Sequence, residues 1–223
     1  AEGFTEYEDV LAGQPDDDII SDVDDEDTTI LMFTAGTTGL PKGVMLTYKS
    51  MSSFALNNVV PLDPEDHEKN ILTVPLYHVA GIETVISSVY GGRTLVIQRQ
   101  FDPLAWMELV ERERVQRAMM VPTMLKQLMD HPEFDRHDLS SLEVITYGAA
   151  PMPLEVIRRA IQLFPNTRFI NAFGQTESAA TITALQPDDH VLEGTPEEME
   201  VKLKRLSSIG RPLPGVEIRI VNE

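Results

Sequence analysis

Thr34-Ala35-Gly36-Thr37-Thr38-Gly39-Leu40-Pro41-Lys42-Gly43 follows directly on Thr28-Thr29-Ile30-Leu31-Met32-Phe33. The leading run, β-branched and aromatic, reads as a buried strand, and no regular element continues through three glycines, a proline and three hydroxyls. A strand therefore gives way to a polar loop. Its glycines let the backbone pass close to a ligand with amides turned inward, its threonines add donors, and Lys42 adds a positive charge. Such a loop suits phosphate oxygens. It is not a Walker loop, which needs Gly-Lys-Ser/Thr in succession, because Lys42 stands between Pro41 and Gly43. Nor are three spaced glycines opening a helix present, as dinucleotide binding requires. A Gly/Thr surface turn without a ligand is the plainer alternative.

The stretch closely resembles the phosphate-binding loop of the adenylate-forming superfamily, which includes acyl- and aryl-CoA synthetases, peptide-synthetase adenylation domains and firefly luciferase. The family pattern reads Ser/Thr-Ser-Gly-Thr/Ser-Thr-Gly-x-Pro-Lys-Gly. Ala35 stands where serine is usual, which removes one hydroxyl and keeps the backbone cradle. The resemblance implies that Thr34, Ala35, Gly36, Thr37, Thr38, Gly39 and Lys42 hold the phosphates of ATP, with Thr37 beside a magnesium ion.

Around this loop the 223-residue chain is 42% hydrophobic, has no cysteine and carries a formal charge of −18. Disulfides, thiolate zinc sites and thiol nucleophiles are excluded. The negative charge argues against nucleic acid as a partner. No apolar run approaches the roughly 18 residues of a membrane span, and no signal peptide opens the chain. A cytoplasmic setting is the default expectation. Residues 1–27 read as an irregular acidic lead-in or linker, with no glycine placed for a calcium loop. The missing initiator methionine fits a piece of a longer protein.

Downstream, Tyr48 to Val60 has helix-like patterning, and a regular alternation then begins. Strands are expected at Ile71 to Val74, Arg93 to Ile97, Gln116 to Val121, Leu142 to Tyr147 and Arg168 to Ala172, with another at Thr181 to Leu185. Helices are expected at Ile82 to Tyr90, Pro103 to Arg114, Pro122 to Asp130 and Pro153 to Phe164, three of them opening at proline. Alternation of this kind specifies an α/β fold, a mostly parallel sheet with helices on both faces. Ligands bind such sheets at the carboxyl ends of the strands. Four polar loops each follow an expected strand: Thr34 to Gly43, Pro75 to Gly81, Gly148 to Pro151 and Phe173 to Glu177. All four should share one edge. Further on, Pro196 to Leu206 suits a helix and Val216 to Val221 alternates like an exposed strand.

Three of these loops extend the resemblance. Tyr77-His78-Val79-Ala80-Gly81 is similar to the family's acyl-pocket segment, implying that Tyr77, His78 and Gly81 border the acid and that His78 positions or gates it. Without the resemblance, a lone histidine after a strand reads as a packed or surface residue. Tyr147-Gly148-Ala149-Ala150-Pro151, otherwise an ordinary strand-to-helix turn, matches the segment that packs on adenine and lines the acyl tunnel. That gives Gly148, Ala149 and Ala150 to the nucleotide, and Tyr147 and Gly148 to the acyl pocket. Asn171-Ala172-Phe173-Gly174-Gln175-Thr176-Glu177 resembles Asn-x-Tyr-Gly-x-Thr-Glu. Asn171, Phe173, Gly174 and Thr176 would then contact nucleotide, with Thr176 on the α-phosphate and Glu177 helping to hold Mg²⁺. Phe173 keeps a stacking face and loses the usual hydroxyl.

The resemblance runs from about residue 28 to the end. It implies a partial AMP-binding domain over 28–206 and the start of a third, barrel-like subdomain over 207–223. Family enzymes are more than twice this length, and their ribose-binding, hinge and C-terminal lysine segments find no match here. The expected parent is an AMP-forming ligase that joins ATP and a carboxylic acid and then coenzyme A, the isolated segment being inactive and prone to self-association through its cut surface. Two alternatives are an amino-acid adenylation domain and a non-catalytic nucleotide-binding module. The first needs an acid near His78, and Tyr77 to Gly81 contains none.

Overall fold

The computed structural model describes residues 5–15, 21–35 and 39–221. Gly36, Thr37 and Thr38 of the phosphate loop therefore lie outside the described residues. The lead-in is not wholly irregular, since Tyr7–Leu11 forms a five-residue helix, α1. The first strand, β1 (Thr28–Thr34), pairs antiparallel with β2 (Lys42–Thr47), so Lys42 and Gly43 belong to a strand and the loop closes at Pro41. Thr47 then caps α2 (Tyr48–Asn58), its side chain accepting from Ser50 N–H at 3.1 Å.

The main sheet is built from β3 (Lys69–Leu72), β4 (Thr94–Ile97), β5 (Arg117–Met120), β6 (Val144–Gly148), β7 (Arg168–Gly174), β8 (Thr181–Leu185) and the two-residue β9 (Arg211–Pro212). Their spatial order is β4-β3-β5-β6-β7-β8-β9. The first five are mutually parallel, while β8 and β9 run antiparallel at one edge. The helices are α3 (Val79–Tyr90), α4 (Pro103–Glu113), α5 (Pro122–Met129), α6 (Leu154–Leu163) and α7 (Pro196–Leu206). Pro103, Pro122 and Pro196 occupy first-turn positions, where no amide bond is lost. Val216 to Val221 forms no strand. β9 stops at Pro212, and the segment finds no neighbouring strand to complete a ladder, leaving Ile220 93% exposed.

The two faces of the sheet differ. On one, Trp106 and Met107 of α4, Leu125 and Leu128 of α5 and Ile157 of α6 close over Ile71, Met120, Ile145, Tyr147 and Phe169, all essentially inaccessible. Burial of this order, at about 25 cal/mol per Å² of apolar surface, dominates the stability of the domain. A smaller core lies on the other side. Met32 and Leu46 of the hairpin join Met51, Val79 and Ala179, with Ile30, Val44, Ile82 and Ile86 around them. This core holds the β1–β2 hairpin against α3 and the turn after β7. The outer face of the hairpin leaves Leu31, Phe33 and Met45 exposed.

Candidate functional site

Parallel strands place their carboxyl ends on one edge, and the loops leaving β3, β6 and β7 meet there with the end of β1. They border one cavity of about 820 Å³ whose wall includes Thr34, Ala35, His78, Ala149, Gly174, Thr176 and Glu177. Each of the four polar loops expected at one edge contributes to it.

Strand alternation sets which residues face this space. Thr34 sits opposite Lys42 in the hairpin, and both share the face of Met32, Val44 and Leu46 that packs toward α3. Lys42 is exposed. Along β7, Ile170, Ala172 and Gly174 face the cavity. Asn171 and Phe173 fall on the opposite face. Asn171 Nδ2 donates to the Ser208 carbonyl at 3.3 Å, and Phe173 is 37% exposed.

His78 caps α3. Its Nδ1 accepts from Ala80 N–H at 3.1 Å, so the neutral ring carries its proton on Nε2 and can donate that proton's hydrogen bond elsewhere. His78 is the residue of its loop that borders the cavity together with Val79 and Ala80. Tyr77 is 85% exposed and lies off the wall. Gly81 is packed instead, since a Cβ there would overlap the Pro75 carbonyl oxygen.

Two glycines enforce close backbone approach at the lip. A Cβ on Gly148 would overlap the Ala172 oxygen, and one on Gly174 the Ala180 oxygen. Immediately beyond these loops Ala149 and Ala179 hold left-handed backbone, each at φ 63°. Such a conformation disfavours a side chain by roughly 1 kcal/mol. Gln175 and Ser178 close a reciprocal cap around the short turn Thr176–Ser178, which fixes Thr176 and Glu177 at the end of β7. Ala150 is exposed outside the wall. Tyr147, expected at the acyl pocket, points the other way, into the closed core, where its hydroxyl meets His190.

Sequence reading missed Glu83. It lies on the cavity wall, and burial pushes its carboxyl up to about 7 while the Thr181 hydroxyl donates to it at 3.0 Å. The signal was available: Ala80, Glu83, Thr84 and Ser87 recur at helical spacing from the His78 loop, small or polar throughout. The segment Tyr77 to Gly81 indeed holds no acid, yet the next turn of the same helix supplies one.

Among the described residues no cluster of three or more His, Asp or Glu side chains forms a ready metal site. Glu177 is a single carboxylate on the turn after β7, on the cavity wall. That fits Mg²⁺, which takes one or two protein carboxylates and completes its shell with phosphate oxygens and water. Thr34, Thr176, Lys42 and the glycine-edged lip fit a nucleotide in the same sense, as donors and a cation flanking an open cavity. Among the described residues no helix is long and apolar enough to cross a membrane.

Comparison with known proteins agrees with this geometry. The profile of the AMP-binding enzyme family matches residues 2–223. Feruloyl-CoA synthase of an Amycolatopsis species is 34% identical over 161 residues, covering 72% of this chain and 32% of that protein. The medium/long-chain-fatty-acid–CoA ligase FadD8 of Mycobacterium tuberculosis is 31% identical over 210 residues, 94% of this chain and 34% of that protein. The chain thus spans about a third of these relatives, 32% and 34% of their lengths. Among solved structures, O-succinylbenzoate coenzyme A synthetase of Bacillus subtilis in complex with ATP and magnesium superposes with a TM-score of 0.74 at 26% identity, covering 96% of this chain and 42% of that one.

Proposed function

The chain belongs to the AMP-binding enzyme family, and from that premise we propose that it forms the nucleotide- and acid-binding centre of an ATP-dependent acyl-CoA synthetase. The reaction is attack of a carboxylate oxygen on the α-phosphorus of ATP, giving an acyl-adenylate and pyrophosphate. The thiol of coenzyme A then takes the acyl group and AMP departs. The observation that carries the reading is the convergence of four loops on one cavity, with Thr34, His78, Thr176 and Glu177 on its wall.

Two anions must meet for this chemistry, so the site has to screen charge while it aligns them. Lys42, Thr34 and the loop residues Ala35 to Gly39, Thr37 and Thr38 included, are assigned to the polyphosphate. Thr176 donates toward the α-phosphate, and His78, through Nε2–H, orients the carboxylate. Glu177 would hold Mg²⁺, with Thr37 beside it, and the ion would supply charge neutralisation to the polyphosphate. Gly148, Ala149 and Gly174 let adenine approach the backbone, whereas Ala150, outside the cavity wall, and Asn171 and Phe173, on the opposite face of β7, are not assigned to it. Residues 28–206 are assigned to the AMP-binding domain, 1–27 to a lead-in and 207–223 to the start of a further subdomain.

Because its relatives are about three times longer, at 32% and 34% coverage, the activity is assigned to the full-length protein that carries this segment. The test is acid-dependent pyrophosphate release from ATP and Mg²⁺ by that protein, over a panel of alkyl and aryl acids. Release is expected, with Glu177→Ala slower by roughly 10²-fold, the scale of removing one electrostatic contact to a developing charge. Absence of acid-dependent release with every acid would overturn the reading.

A further inference from the structure

Helix α3 is amphipathic in an unusual arrangement. Val79, Ile82 and Ile86 pack into the small core under the hairpin, while Ala80, Glu83, Thr84 and Ser87 face the cavity. Glu83 receives the Thr181 hydroxyl, and no cation neutralises it among the described residues. Across from it on β3, Asn70 Nδ2 donates to Ser88 Oγ at 3.0 Å, but Asn70 Oδ1 and Ser87 Oγ, both buried, have no protein partner. The wall's two guanidiniums, Arg93 and Arg117, both approach Glu68 through Nε, where Arg117 Nε makes no hydrogen bond, and neither forms an ion pair with Glu83.

We infer that this cavity takes a carboxylic acid whose chain carries a hydrogen-bond donor, a hydroxyl or a primary amine, and that Glu83 receives it. The inference rests on the acyl-CoA synthetase reading, which makes the space beyond His78 the acyl end of the site. Glu83 follows His78 by five residues, about 7.5 Å along the helix axis at 1.5 Å per residue. The donor therefore lies several bonds from the reacting carboxylate. A plain methylene chain in the same position would exclude solvent from a carboxylate that has only the Thr181 hydroxyl as a side-chain partner among the described residues. Sites built on such polar groups discriminate strongly against analogues that lack the matching group.

The test uses the full-length protein and matched acids: hexanoate, its terminal hydroxy acid and its terminal amino acid, together with cinnamate and its para-hydroxy form. The readout is the ratio of kcat/KM for pyrophosphate release within each set, for the native protein, Glu83→Gln and Glu83→Leu. The native protein is expected to favour a donor-bearing acid by about 10²-fold. Glu83→Leu should abolish that preference. Glu83→Gln should keep a preference for hydroxyl and lose one for amine, which tells the two donors apart. If Glu83→Leu fails to fold, the Glu83→Gln ratios decide, since an amide neither pairs with an ammonium nor changes the shape. Release with the same ranking in the native protein and the variants would overturn the role of Glu83 and leave the ligase reading standing. No release with any acid would overturn both.

Discussion

Tyr147 Oη and His190 Nε2 lie 2.9 Å apart in the closed core, on the side of the sheet away from the cavity. The other ring nitrogen of His190 is 2.9 Å from the Gln186 carbonyl oxygen, which can only accept. Nδ1 therefore carries the proton, and Nε2 accepts from the tyrosine hydroxyl. The rings meet edge to face, with centroids 5.7 Å apart. This contact ties β6 to the turn following β8, and so fixes the strand that delivers Gly148 and Ala149 to the site.

Burial pushes the His190 imidazole below its ordinary range and the Tyr147 phenol above its own. The histidine ionises in the unfolded chain near 6.5, whereas the folded chain resists protonation, so the unfolded state binds more protons just below that pH. Stability contributed here is present above 6.5 and is lost as pH falls through the depressed folded value. Denaturant titrations of the native protein and His190→Ala should show the variant losing this part of the acid slope. Tyr147→Phe, which leaves Nε2 unpaired, should cost about 1–2 kcal/mol. A Tyr147→Phe protein as stable as the native one would contradict the pairing.

The alternation of strands and helices was legible because each unit of β3 to α6 carries its own periodicity and its own turn residues. Gly148 and Gly174 could be placed at the lip for the same reason, as each ends a strand pattern. What escaped the sequence depends on partners far along the chain. Pairing of β1 with β2 spans a loop with no hairpin signature, so Lys42 read as loop. Glu83 meets Thr181 across 98 positions, and a charged helical residue with no visible partner reads as solvated. Tyr147 was misplaced because strand alternation offers two faces, and only the partner at His190, 43 positions away, chooses between them.

Gly174→Ala should be severe for both stability and activity. The added methyl would meet the Ala180 carbonyl, a backbone atom that cannot swing aside. Separation of β7 from the start of β8 would shift Thr176 and Glu177. A loss of about 1–3 kcal/mol is expected from overpacking, with the melting temperature as the check. An unchanged melting temperature would mean that the turn relaxes freely.

Lys42→Met isolates charge from packing. The side chain is exposed at the mouth of the hairpin, opposite Thr34, so stability should change by less than about 0.5 kcal/mol. Pyrophosphate release by the full-length protein should fall by roughly 10²-fold if Lys42 meets the polyphosphate. Thermal unfolding and initial rates measured on the same preparation separate the two effects. Equal rates would remove Lys42 from the phosphate site.

Glu83 imposes a pH dependence of opposite sign to that of His190. Its folded carboxyl is raised to about 7 from 4.5 by burial, with the Thr181 hydroxyl only partly opposing the rise. Between those values the unfolded chain has released the proton and the folded one retains it. The native state then binds more protons, and stability falls as pH rises through the window. The full penalty stands above 7, and it reaches about 3 kcal/mol, since each tenfold difference in proton affinity between the two states is worth roughly 1.4 kcal/mol. Glu83→Gln keeps an acceptor for Thr181 and cannot ionise. It should match the native protein near about pH 4 and exceed it in melting temperature near about pH 8, on either side of that window. His78, Glu177, Arg93 and Arg117 on the same wall are common to both proteins, as is His190, so the difference between the two curves reports Glu83 alone. Curves that stay parallel across the whole window would place the carboxylate in water and withdraw it from the acyl end of the cavity.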